Sequence, residues 1–328
     1  MRLLTIDDFL ETYIRLRQRG FNFILSKFKF NSSERTVSSF DSDIKNAHWY
    51  IIPDLINHQN SIISGNPDIS YEDYVVEKYL KNRTNLSMIS IGCGEGNHEL
   101  KFAAHNNFEK IIGVDLSENR IKAAQNKADS LGLKNINFIS GNGNHEEFYS
   151  SINAQFDVIL FDNSLHHLKN VADLLGNQIS KLLKDDGILI IKEYIGSNRL
   201  QWSSSQLKFV NNLLIEIPLE LRKIFQTNMF KKKVYGPGII RMIISDPSEA
   251  VDSNSILPSL HKYFIVEEEK YLGGNIYLPL FKDIAHNFIK TNSIKRDIFV
   301  KIFEEEKKLL EIEKSLLLFG VYRKCIKN

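Results

Sequence analysis

Three glycines at alternating positions, Gly92, Gly94 and Gly96, follow the apolar run at 88–91. Behind them 97–106 repeats Leu100, Ala103 and Ala104 at helical spacing. Strand, glycine turn, helix is the order that brings backbone close to a ligand and aims helix-end N–H groups at negative charge. A second apolar run, 110–115, ends in Asp115, about 20 residues further on, where a doubly wound nucleotide-binding sheet places the carboxylate that receives two ribose hydroxyls. His166 and His167 stand just past a fourth run, 156–161, at the strand end where open α/β sheets hold ligands. Either imidazole could remove an acceptor's proton; Glu193, closing the run 187–193, is the alternative base or a substrate orienter. A dinucleotide fingerprint would need glycine at 97, where Asn97 stands, which disfavours a dehydrogenase.

The glycine spacing resembles the first motif of the class I S-adenosylmethionine-dependent methyltransferases, and later motifs extend the likeness. Asn137–Asn142 resembles the third strand with its adenine-side loop, Phe156–Leu168 the fourth strand with a Leu-His-His turn, and Gly187–Glu193 the fifth strand. The resemblance implies an α/β fold with a doubly wound, seven-stranded, mostly parallel sheet and S-adenosyl-L-methionine as cofactor. It implies cofactor contacts from Gly92, Cys93, Gly94 and Gly96, from Asp115 and Leu116, and from Gly141 and Asn142 on the adenine side. Asp162 would lie beside the methionine portion, or cap the turn that follows it. The family's Leu-His turn directs its first histidine inward, which favours His166 over His167 as the base. Segments 193–196, 246–250 and 284–288 are similar to those of uncharacterised bacterial methyltransferases found near sugar-processing functions. The implied reaction is O-methylation of a hydroxylated small molecule, a sugar among the candidates. N- or C-methylation, or a SAM-binding partner subunit without chemistry, are the alternatives.

The bulk properties agree with a folded enzyme. At 328 residues the chain can bury a full core, and 42 basic against 40 acidic residues leave a net charge of +2, too balanced for a polyanion partner. Nucleic acid is therefore not expected. No apolar run approaches the roughly 20 residues of a membrane span, so no membrane is expected either. Two cysteines, Cys93 and Cys325, build no disulfide framework and sit in no metal-ligand spacing, and the acidic start is unlike a signal peptide; a cytoplasmic protein without a metal is the expectation.

These residues require positioning elements. We expect a helical N-terminal extension over 1–69, a SAM-binding sheet domain over 70–195, a helical lid insert over 196–260, and a C-terminal part of the sheet domain over 261–328. Within the extension, 6–30 reads as amphipathic helix, 31–43 as a polar loop, and His48-Trp49-Tyr50 as a core edge or substrate wall; its aromatics could serve a homodimer. A helix over 71–80 capped by Asp68 or Ser70 precedes the first strand, and Ser117 and Gly132 bound the next helix. In the insert, 203–217 is helical, Pro218 starts a helix to about 229, and Asp246-Pro247-Ser248-Glu249 reads as a capped helix start. Tyr194, Arg199, Trp202 and His286 line the acceptor site or pack the lid. The sixth strand is expected at 263–267, helices at 279–291 and 296–313, and an antiparallel seventh strand at 316–323.

Overall fold

The computed structural model describes residues 1–20, 32–41 and 48–325. Its centre is a strand whose residues are apolar almost without a break, β4 (Phe156–Asp162), buried from Phe156 to Phe161 because both faces of the sheet are covered. β1 (Leu86–Ile91) and β5 (Leu183–Tyr194) flank it in parallel, with Ile89 opposite Ile159 and Ile159 opposite Leu189. β2 (Phe108–Asp115) pairs with β1, and β3 (Ile136–Ser140) pairs with β2, both parallel. β7 (Leu317–Lys324) runs antiparallel to β5, and β6 (Phe264–Gly273) forms the far edge. The order is β3-β2-β1-β4-β5-β7-β6, the doubly wound seven-stranded sheet expected from the sequence. Ile89, Ile159, Phe161, Leu189, Ile191 and Tyr322 are among the side chains of its core.

Several local expectations need correction. β5 begins at Leu183 rather than Gly187, because Phe156 pairs with Leu183 and Val158 with Ile188; the residues between them form a bulge within the strand. β6 runs to Gly273 rather than stopping at Glu267; as an edge strand with much of its length exposed, it tolerates the charges that hid its period. Residues 218–229 form only a short 3₁₀ turn, Leu219–Arg222, followed by a bridge between Lys223 and Phe230. Asp246 ends the helix Ile239–Ser245 instead of starting one, and its Oδ1 accepts from the Ser248 N–H and hydroxyl. Ser32–Asp41 is helical where a loop was expected; the Thr36 hydroxyl reaches Asp246 at 3.3 Å, a distant contact invisible to local propensity. The expected helix over 6–30 is seen as Ile6–Arg19, and its remainder from 21 lies outside the described residues, as do 31, 42 and 43 of the expected loop.

The chain divides into two compact units. The sheet unit comprises 60–195, 250–271 and the chain from 317 onward. The second, largely helical unit comprises 1–59, 196–249 and 272–316, so 272–316 groups with the N-terminal helices and 250–260 with the sheet, unlike the expected boundaries. Among the described residues no helix is long and apolar enough to cross a membrane.

The helical unit is held by an aromatic cluster of Phe281, Phe288 and Phe299, with Trp49 tilted against Tyr277 at 5.5 Å. Beside it the buried Glu306, on the helix Ser293–Leu310, accepts from the Asn275 and Ile276 N–H groups at 2.7 Å each. Burial pushes its carboxyl up to about 7, although those N–H groups oppose the rise. A folded value above the unfolded one means the folded state favours the proton. That contribution is intact below the ordinary carboxyl value of 4.5 and is lost as pH rises through about 7. The difference amounts to about 3 kcal/mol at most. Urea unfolding should therefore give a higher midpoint near about pH 5 than near about pH 8, and Glu306→Gln should narrow the gap. An unchanged gap in the variant would remove Glu306 as its source.

Candidate active site

The glycine loop is tied to the end of β2: the N–H groups of Gly92 and Cys93 both donate to the Val114 carbonyl, at 2.7 and 2.9 Å. Gly92 has φ 79° and a Cβ there would lie 2.4 Å from the Cβ of Ser164, so a side chain is excluded by backbone and by space. Gly94 differs. Its φ is 56°, but a Cβ would meet nothing closer than the Arg120 guanidinium at 3.5 Å, an ordinary contact. Its side of the loop is where a ligand can lie against backbone. Gly92→Ala is expected to destabilise the protein by about 1–3 kcal/mol. Gly94→Ala should cost less stability but weaken cofactor binding at least as much, as read by thermal melts and calorimetry. Equal binding in Gly94→Ala and the parent would show that nothing rests on this backbone.

Asp115, 6 % exposed, closes β2. Its Oδ2 accepts from the Gly94 N–H at 2.9 Å and its Oδ1 from the Ser117 N–H at 2.8 Å. One acid thus fixes both the loop and the start of the helix Glu118–Ser130, which Ser117 caps as expected. Each oxygen keeps further acceptor capacity, so a vicinal diol can be bound as well. Leu116 is half-buried beside it. Just past β3, the Gly141 N–H donates to the Asp115 carbonyl at 3.0 Å, and the Asn142 Oδ1 accepts from the Asn144 N–H at 3.0 Å. Burial pushes the Cys93 thiol well up, and the charges of Glu99 and Asp115 add to the rise, which disfavours a thiolate there.

Near the end of β5, Glu193 organises the histidine turn. It is 1 % exposed, and its Oε2 accepts from the Ser164 and Leu165 N–H groups at 2.7 and 2.6 Å. Its Oε1 accepts from the Tyr194 N–H at 2.7 Å and pairs with the Nδ1 of His166. With four donors on two buried oxygens, Glu193 is occupied as an acceptor. To act as a base it would have to give up one of these contacts. In its neutral form the His166 ring then keeps its lone pair on Nε2. The His167 ring lies against His166 at 4.1 Å with a 39° tilt, and the Tyr194 ring stands edge-on to His166 at 6.1 Å. The Ser164 hydroxyl donates to the Ile91 carbonyl at 2.6 Å, which joins this turn to the end of β1.

Asp162, at the end of β4, is held by partners the sequence did not reveal. The Tyr71 hydroxyl donates to its Oδ2 at 2.7 Å and the Asn163 amide to its Oδ1 at 2.5 Å, while His98 Nε2 lies 3.4 Å from Oδ2. Tyr71 and Asp162 are 91 residues apart in the chain, and no local pattern links them. His98 could have been noticed: it sits in the first helical turn after Gly96, on the helix Asn97–Ala103. Its neighbour Glu99 is buried beneath the loop, with the Ser90 hydroxyl donating at 2.5 Å, and burial pushes its carboxyl up to about 7. The other candidates from the sequence, Arg199, Trp202 and His286, belong to the helical unit. There Arg199 donates to the Glu249 carbonyl at 3.1 Å, Trp202 is buried, and the His286 ring packs edge-on to Phe225 at 5.0 Å.

The carboxyl edge of the parallel strands thus carries a glycine loop open on one side, a buried acid with acceptor capacity to spare and an imidazole held by a carboxylate. Residues 82–254, more than half of the chain, match the family described as methyltransferase domain. The chain belongs to that family, the class I S-adenosylmethionine-dependent methyltransferases. It is 32% identical over 129 residues to the release factor glutamine methyltransferase of Buchnera aphidicola, covering 38% of this chain and 43% of that one. It is 28% identical over 117 residues to the demethylmenaquinone methyltransferase of Lactococcus lactis, covering 35% of this chain and 45% of that one. Among solved structures, the YcgJ protein of Bacillus subtilis matches with 15% identity and a TM-score of 0.45, over 79% of this chain and 99% of that one. The chain spans less than half the length of the two curated relatives. The loop and Asp115 fit S-adenosylmethionine: the open flank of Gly94 suits close approach and Asp115 suits the ribose.

Proposed function

We propose that this protein transfers a methyl group from S-adenosylmethionine to a hydroxyl oxygen of a small-molecule acceptor, a sugar or sugar-bearing metabolite among the candidates. The observation that supports this is the His166–Glu193 pair. A hydroxyl, unlike a neutral amine, must lose its proton as it attacks, and an imidazole with a fixed tautomer is suited to take it. When bound, the sulfonium supplies an activated methyl group and leaves as a neutral thioether. The protein's own task is alignment and exclusion of water. Gly92–Gly96 and Asp115 would hold the nucleoside, with Cys93 and Leu116 in contact through the loop and strand end. Gly141 and Asn142 would border the adenine. The Asn142 carbonyl already serves its own turn, so its amide N–H₂ would donate to a ring nitrogen.

The relatives' names include a glutamine and a demethylmenaquinone methyltransferase, so the shared segment speaks for the cofactor half of the reaction and leaves the acceptor to this chain's own residues. Turnover with S-adenosylmethionine carrying a ¹³C methyl group, against a panel of hydroxylated and amine-bearing metabolites, tests the reading. A labelled methyl on oxygen is the expected product. A labelled methyl only on nitrogen or carbon would overturn the O-methylation reading.

A further inference from the structure

The turn that carries the two histidines is bracketed by left-handed residues. Asn163 has φ 49° and Asn170 φ 50°, and between them lie Ser164, the 3₁₀ turn Leu165–His167, Leu168 and Lys169. Asparagine enters this conformation more readily than most residues, and single positions of this kind let the chain change direction on either side. The placement of the turn is therefore set by its hydrogen bonds. Glu193 holds the entrance through the Ser164 and Leu165 N–H groups, and the Ser164 hydroxyl reaches the Ile91 carbonyl at the end of β1. In the middle, the Val251 N–H donates to the His166 carbonyl at 3.1 Å. At the exit, the Lys169 N–H donates to the Asn144 Oδ1 at 2.9 Å.

Asn144 belongs to the loop that leaves β3, and that loop is tied on two sides. The Gly141 N–H donates to the Asp115 carbonyl at 3.0 Å. The Asn142 Oδ1 accepts from the Asn144 N–H at 3.0 Å, and the Asn142 carbonyl accepts from the His145 N–H at 3.0 Å. Between them the Gly143 carbonyl accepts from the Tyr149 hydroxyl at 2.7 Å. A Cβ on Gly143 would lie 3.2 Å from Ile91 Cγ2 and 3.4 Å from Leu168 Cδ2, so the loop packs against the end of β1 and the histidine turn together. Residues 141–144 thus join Asp115 at one end to Lys169 at the other. Asn144 itself is exposed, so it acts through its two hydrogen bonds rather than through packing.

We infer that Asn144 is a positioning residue that links occupancy of the cofactor crevice to the placement of the histidine turn, an inference that rests on the reading of Gly141 and Asn142 as the border of the adenine. A nucleobase that takes the Asn142 N–H₂ as its partner holds the Asn142 Oδ1 on the Asn144 N–H. Asn144 is then fixed with its own Oδ1 toward the Lys169 N–H. Linkage of this kind is reciprocal: bound cofactor steadies the turn, and a steadied turn tightens the cofactor. The imidazoles reach their working place once the methyl donor is seated, which favours cofactor before acceptor.

Asn144→Ala and Asn144→Asp test the link, because alanine removes the acceptor for Lys169 and a carboxylate keeps it. The readouts are calorimetry with S-adenosylhomocysteine and the imidazole NMR signals of His166 and His167, assigned from their alanine variants. In the parent, saturating S-adenosylhomocysteine should move both signals. Asn144→Ala should stay folded by circular dichroism and bind the ligand about 3–10-fold more weakly, the worth of one hydrogen bond. At saturation its histidine signals should move only part of the way, and Asn144→Asp should restore both affinity and signals. An alanine variant whose signals move as far as the parent's, or an aspartate variant that restores neither readout, overturns the link. A parent that binds S-adenosylhomocysteine with both histidine signals unmoved also overturns it, and leaves the crevice reading standing. A parent that does not bind S-adenosylhomocysteine overturns the crevice reading, and this inference with it.

Discussion

Asp115→Ala is expected to weaken S-adenosylhomocysteine by about 10²–10⁴-fold, the equivalent of two hydrogen bonds from ribose hydroxyls to a charged acceptor at about 1.5–3 kcal/mol each. The acid also receives the Gly94 and Ser117 N–H groups, so the variant loosens the loop as well as removing the diol's partner. Asp115→Asn separates the two roles. An amide oxygen can still accept one of those N–H groups, and the charge is gone. The asparagine variant should stay folded by circular dichroism and lie between parent and alanine variant in affinity. Calorimetry that showed parent-like affinity in both variants would remove Asp115 from the cofactor site.

His166→Ala is expected to lower turnover on a hydroxylated acceptor by about 10²–10⁴-fold, the usual worth of a positioned base. Its affinity for S-adenosylhomocysteine should stay within about twofold of the parent, because proton removal is separate from cofactor binding. Glu193→Gln should sit between the two. Its amide can accept from some of the donors at 164, 165 and 194 but no longer presents a carboxylate to His166 Nδ1. His167→Ala reports on the contact between the two rings, which lie at 4.1 Å. If turnover survives both histidine changes, the acceptor needs no base, as a neutral amine would not.

How much of this could be read from the residues depended on whether the cause was local. β1, β2, β3 and β4 were visible because each is a short apolar run, and a strand covered on both faces leaves that trace. The alternating glycines and the Ser117 cap were legible because turn and cap chemistry is written within a few residues. β6 was cut short because an edge strand can carry Glu267, Glu268 and Glu269 without burying them on both faces. The 32–41 helix touches the end of the helix at Asp246 through Thr36, a contact that local propensity does not see. At the site, His166 and Glu193 were both found, but not that one holds the other, since burial and four converging donors decide which group is occupied. The contacts of Tyr71 and His98 to Asp162 were missed for the same reason: they join residues far apart in the chain.

The most direct test is a crystal structure of the protein with S-adenosylhomocysteine. The ribose hydroxyls should lie on the Asp115 carboxylate, the nucleoside against the open side of Gly94, and the sulfur facing the turn that carries His166. Density for the ligand elsewhere, with the crevice between β1 and β4 filled by the protein's own side chains, would contradict the account.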